Sequence, residues 1–103
     1  MSLPSKSFAN LLRQSREEHA RTLREVAEHL KVDVSLISKW ERGERKPNRA
    51  EVNALAKYFK SDRKTWLVLW LRDHVLYSIG DDEFALDALK AAEAQVKYQT
   101  KNR

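Results

Sequence analysis

The stretch TLREVAEHLKVDVSLISKWERGERKP, Thr22 to Pro47, contains two short apolar patterns of helical period separated by Lys31, Val32 and Asp33. In the first, Glu25 follows Thr22 at the spacing that lets each side chain satisfy the other's backbone N–H. Leu23, Val26, Ala27 and Leu30 then form one apolar stripe. The second pattern, VSLISKWER, opens after Asp33, whose short carboxylate suits a helix N-cap, and turns Ile37 and Trp40 to the same side. Gly43 ends it. Ala27 falls where two steeply crossing helices leave room only for a small side chain, with Val26, Leu30, Val32, Ile37 and Trp40 supplying the packing. The other face of the second helix then carries Val34, Ser35, Ser38, Lys39 and Arg42 outward.

The remainder of the chain reads in the same way. Only two Gly and two Pro among 103 residues, with Ala, Leu, Glu, Lys and Arg frequent, predict an all-α fold in which the breakers mark the joints. Upstream, Phe8, Leu11, Leu12 and Ser15 recur at helical spacing, giving a helix from about Ser5 to His19. Downstream, Asn48 caps RAEVNALAKYF, with Val52, Leu55, Ala56 and Phe59 on one face. Asp62 starts a fifth helix that extends to about Ile79, and Gly80 to Asp82 break the chain and cap a sixth that ends near Tyr98. The organisation expected is one compact domain: residues 1–61 hold the paired short helices, residues 62–98 form the C-terminal helices, and residues 99–103 fray.

Composition narrows the partners. Twenty Lys and Arg against 15 Asp and Glu give a formal net charge of +5, which favours a polyanion. The excess is concentrated: residues 1–50 hold 11 cations and 7 acids, whereas residues 81–103 hold 4 and 5. There is no cysteine, hence no disulfide framework and no thiolate metal site, and the N-terminus lacks the apolar core of a secretory signal, so an intracellular protein is expected. The longest apolar run, Trp66 to Leu71, is far short of the roughly 20 residues of a membrane span.

Two short helices joined by a three-residue turn inside a basic all-α domain make a helix-turn-helix arrangement. Beyond that geometry, TLREVAEHLKVDVSLISKWERGERKP resembles the signature of the lambda-repressor-like Cro/repressor family, also called the xenobiotic-response-element type, whose members bind operator DNA as dimers. The likeness covers about residues 8–60, and ISKWERGERKP is its most specific part. From WLVLWLRDHVLYSI onward the chain is similar, more loosely, to small regulators that accompany DNA-methyltransferase genes. The fold implied is a five-helix lambda-repressor-like domain extended by a C-terminal helix.

The resemblance implies roles for individual residues. Val34, Ser35, Ser38 and Lys39 would reach base edges in the major groove, Lys39 donating to guanine and Val34 touching a thymine methyl. Thr22, Arg24, Arg42, Arg45, Lys46 and Arg49 would hold phosphates, and Arg16 would pair internally with Glu41. Leu23 stands where many members have a phosphate-binding Gln, leaving that contact to Thr22, Arg24 or a helix N-terminal N–H. Lys31 replaces the usual turn glycine, at a cost of about 1–2 kcal/mol if the left-handed backbone is kept.

Other chemistry has little support. His19, His29 and His74 lack metal-site spacing, no cofactor motif is present, and the one acidic cluster, Gly80 to Glu83, reads as a helix start, so an enzyme is not expected. The fifth helix is apolar around more of its circumference than one face can bury, and Trp66, Trp70, Leu76, Phe84 and Leu89 are therefore predicted to form a two-fold dimer contact. These readings converge on a sequence-specific, dimeric transcriptional regulator in the bacterial cytoplasm, acting as a repressor or as a controller tied to a restriction-modification locus. The alternative is an antitoxin that binds a toxin protein and regulates its own operon.

Overall fold

The computed structural model describes residues 7–102. Six helices follow one another: α1 (Phe8–Glu18), α2 (Leu23–Leu30), α3 (Val34–Glu41), α4 (Arg49–Tyr58), α5 (Arg63–Ile79) and α6 (Ala85–Lys101), with no strand among the described residues. The all-α architecture with a C-terminal helical extension is therefore the one expected.

Local chemistry sets the boundaries. Ser7, Thr22, Asp33, Asn48 and Asp62 each place a side-chain oxygen on a backbone N–H of the helix they precede, and Thr22 with Glu25 and Asn48 with Glu51 complete reciprocal capping boxes. Because Ser7 caps α1, the helix opens at Phe8; Ser5 and Lys6, assigned to it by spacing, lie outside the described residues. At the other end α6 continues to Lys101, so residues 99–101 are helical where fraying was expected. Asp82 accepts the Phe84 N–H at 2.8 Å, and α6 then begins at Ala85.

The core gathers one face from each of the first five helices: Phe8 and Leu12, Val26 and Ala27, Ile37 and Trp40, Val52, Leu55 and Ala56, then Phe59, Trp66 and Leu67. Trp66 is its aromatic centre, edge-on to Phe8 at 5.7 Å and stacked on Phe59 at 5.8 Å between ring centroids. This corrects the reading of Trp66 as a dimer residue: it is 0% exposed, and its indole N–H is buried without a hydrogen-bond partner. Trp70 is half-buried against the same core and donates its indole N–H to the Pro47 carbonyl at 2.8 Å. α5 thus closes the bundle with its first turns, packing on α4 and α1. Asp73, one turn further, accepts the Phe8 N–H at 2.9 Å and so ties α5 to the start of α1.

α6 is different. It buries no residue and packs extensively on no other described element. No helix among the described residues is long and apolar enough to cross a membrane.

Candidate nucleic-acid interface

α3 is held from behind. Ile37 and Trp40 are sunk in the core and Leu36 is half-buried against it, which leaves the opposite face of the helix outward. Val34 is 38% exposed, Ser35 is exposed, and Ser38 and Lys39 are half-buried. Asp33 accepts both the backbone N–H and the hydroxyl of Ser35 at 2.8 Å, and these two bonds hold its carboxyl below the usual carboxylate range. Ser35 consequently presents its oxygen lone pairs, not its proton, to anything that approaches the helix.

The far end of α3 is clamped to α1. Arg16 Nε donates to Glu41 Oε2 at 2.6 Å and Nη2 to Oε1 at 3.0 Å, while Nη1 reaches the Arg21 carbonyl at 3.0 Å. Both side chains are sheltered, 17% and 8% exposed, and the bond to Glu41 raises the Arg16 pKa above its ordinary value. The pair therefore orients α3 on α1, with each guanidinium nitrogen of Arg16 committed to a bond within the protein.

After α3 the chain reverses at Gly43, whose φ of +73° lets the Glu44 N–H fold back onto the Lys39 carbonyl at 2.9 Å. That reversal lays the Glu44 carboxylate on the Arg42 guanidinium, with Nε donating at 3.1 Å and Nη2 at 2.9 Å. The third arm of Arg42, Nη1, donates to the Ser38 hydroxyl oxygen at 2.6 Å. A base-reading candidate and a phosphate candidate are thus bound to each other, under a carboxylate that the sequence reading did not single out. Contact with Arg42 lowers the Glu44 pKa. The signal was the glycine between them, where the left-handed backbone folds the chain back.

The remaining cations surround this face unevenly. Arg24, Arg45 and Lys46 are exposed, and the Lys46 ammonium lies 5.5 Å from the centroid of the Tyr77 ring. Pro47 is buried and pinned by Trp70, so the basic loop is fixed at its far end by α5. Thr22 spends its N–H on Glu25 Oε1 and its oxygen on the Glu25 N–H, both at 3.0 Å, which leaves its hydroxyl proton for an acceptor. Arg49, at the first position of α4, lines an open groove together with Arg63 and Lys64 of α5. Of the dimer candidates, Leu76, Phe84 and Leu89 are exposed, in contrast to Trp66 and Trp70.

Taken together, α3 is a short helix buried on one side, tied to α1 through Arg16 and Glu41, and flanked before and after by exposed cations. A family model described as a helix-turn-helix domain matches residues 7–65, which is more than half of the chain. No curated protein and no solved structure matches it. The matched segment runs from the cap of α1 to the first turn of α5 and holds all of the core except Trp66 and Leu67, and the chain belongs to the helix-turn-helix domain family.

Proposed function

We propose that this protein is a sequence-specific, DNA-binding transcriptional regulator that reads an operator as a dimer and acts as a repressor. The observation that carries the reading is α3 itself: Ile37 and Trp40 bury one side, Arg16 locks its end through Glu41, and Val34, Ser35, Ser38 and Lys39 lie on the side left over. Lys39 is the donor suited to guanine O6 and N7, Ser35 is an acceptor for a base amino group, and Val34 is the apolar contact for a thymine methyl. Arg24, Arg45 and Lys46, with the Thr22 hydroxyl, supply sequence-independent attraction to phosphates. Two copies are needed because a short helix reads only a few base pairs, and paired half-sites about 34 Å apart along the duplex double the information.

Selection of bound sequences from random duplex DNA is expected to yield a two-fold-related site. On that site Lys39→Ala costs about 1–3 kcal/mol and relaxes preference at one position per half-site. Arg45→Ala lowers affinity for every sequence alike and flattens the salt dependence, each lost phosphate contact removing about 0.9 from the slope of log affinity against log salt. If both substitutions leave affinity and preference unchanged in a folded protein, α3 is not the reading element.

A further inference from the structure

The face of α5 opposite Trp66 and Asp73 carries a stripe of Lys64, Val68, Leu71, Val75 and Ile79 at i, i+4, i+7, i+11 and i+15, with the buried Leu67 at its edge. Among the described residues nothing covers its middle, where Leu71 is 48% and Val75 42% exposed. The two ends of the stripe differ in charge. At the start, an open groove of about 410 Å³ has an apolar floor of Leu67, Val68 and Leu71 and a rim of Arg49, Arg63 and Lys64. Asp62 also lines it, but its carboxylate is engaged with the Lys64 N–H and the Thr65 hydroxyl at the start of α5. At the other end lie Asp81, Asp82 and Glu83, followed by Phe84 at 64% exposure, beside a second open cavity of about 380 Å³.

We infer that the occupant of this face is a second copy of the chain, with α5 packed antiparallel on its partner so that each acidic turn at 81–84 meets the other copy's Arg63 and Lys64. The inference rests on the dimeric reading above and adds the surface and its register. The charge pattern decides the direction. Parallel packing would set cations on cations and acids on acids, whereas antiparallel packing about a two-fold axis pairs opposites at both ends at once. Within α5, a register centred on residue 73 opposes Leu71 to the partner's Val75 and Leu67 to its Ile79, and it brings the partner's acidic turn, just past the end of α5, to the Arg63 and Lys64 end. The distance fits, because α5 spans 17 residues, or about 25 Å at 1.5 Å per residue, and the basic groove and acidic turn lie at its two ends. Phe84 of one copy then reaches the apolar floor of the other's groove.

The test uses the full chain, and the absence of cysteine makes cross-linking clean. In sedimentation equilibrium the native chain is expected to dimerise. Arg63→Glu with Lys64→Glu, and separately Asp81→Lys with Glu83→Lys, each weaken self-association by about tenfold or more. Asp82 is left unchanged because it caps the turn before α6. Mixing the two variants restores association as a heterodimer. In parallel, a mixture of Leu71→Cys and Val75→Cys chains oxidises to a mixed disulfide dimer faster than either alone. Circular dichroism checks that every variant is folded. A native dimer whose charge-reversed variants associate undiminished, or whose Leu71→Cys chains cross-link best to themselves, overturns the antiparallel register while leaving the dimer in place. A native chain that is monomeric at high micromolar concentration overturns both.

Discussion

Lys31 leaves α2 with φ +60° and ψ 45°, a left-handed backbone that an L side chain occupies at a cost of about 1–2 kcal/mol. Its N–H returns to the Glu28 carbonyl and the Val32 N–H to that of Ala27, so the conformation closes the helix and sets the turn into α3. Lys31→Gly is expected to stabilise the protein by about 1 kcal/mol, since the relief of strain outweighs the extra freedom gained by the unfolded chain, and urea unfolding measures it. Glu44 is the second residue whose effect can be isolated. Its carboxylate occupies two of the donors on Arg42 and would face the phosphates of a bound duplex. Glu44→Gln is expected to raise affinity for all duplexes a few-fold, most at low salt, in a titration that compares specific with non-specific DNA. No gain at any salt concentration would mean that Arg42 keeps its carboxylate partner in the complex.

The elements share one way of stopping and one way of starting. α1, α2, α3 and α4 each end with a left-handed residue, Ala20, Lys31, Gly43 and Lys60, and the next N–H returns to a carbonyl five residues back. Only one of the four is glycine, which is why composition understated how many tight exits the chain contains. At the N-termini, carboxylates carry much of the capping. The Thr22 N–H, donating to Glu25, and the Ser35 N–H, donating to Asp33, hold these two carboxyls below their ordinary pKa values. A depressed folded pKa means that the unfolded state binds protons first as pH falls. The capping contribution is therefore fully present above the ordinary carboxylate range of about pH 4, and is lost as pH drops through the lower folded values. Chemical unfolding followed from pH 7 down to pH 2 should show α2 and α3 destabilised only in the acid limb, and Asp33→Asn should reduce that acid sensitivity.

Across the whole molecule, burial is uneven. The core ends at Leu67, with Trp70 packed against its edge, and among the described residues all the exposed large apolar side chains but Val34 lie between Val68 and Tyr98. A 17-residue helix with no buried residue, such as α6, gains little from its own chain, because most of a helix's stability in a protein comes from packing an apolar face. Deleting residues 85–103 is consequently expected to leave the helix-turn-helix body intact. At dilute, monomeric concentration its midpoint should move by less than the roughly 4–8 °C that corresponds to 1 kcal/mol in a domain of this size. A collapse of the midpoint would show that α6 supports the core. The same clustering explains how α5 serves two surfaces: Trp70 steadies the basic loop through Pro47, while Leu71 and Val75 on the other side remain uncovered.

Helix number, the caps Thr22, Asp33, Asn48 and Asp62 and the packed faces of α1 to α4 were legible in the order of residues, because a cap or an apolar stripe involves groups no more than about four positions apart. The same holds for the turn between α2 and α3 and for the outward side of α3. The α1 cap Ser7 was not read, and α6 begins after Phe84 without the side-chain cap expected from Gly80 to Asp82. Three features depended on how distant segments meet. Trp66 reads as surplus along its own helix, yet Phe8 and Phe59 enclose it. Asp73 is an unremarked acid until α1 begins beside it and offers the Phe8 N–H. Glu44 becomes the partner of Arg42 only when Gly43 turns the chain back. Periodicity shows which side of a helix is apolar, but which surface covers that side follows from contacts between segments tens of residues apart, and those exist only in the folded chain.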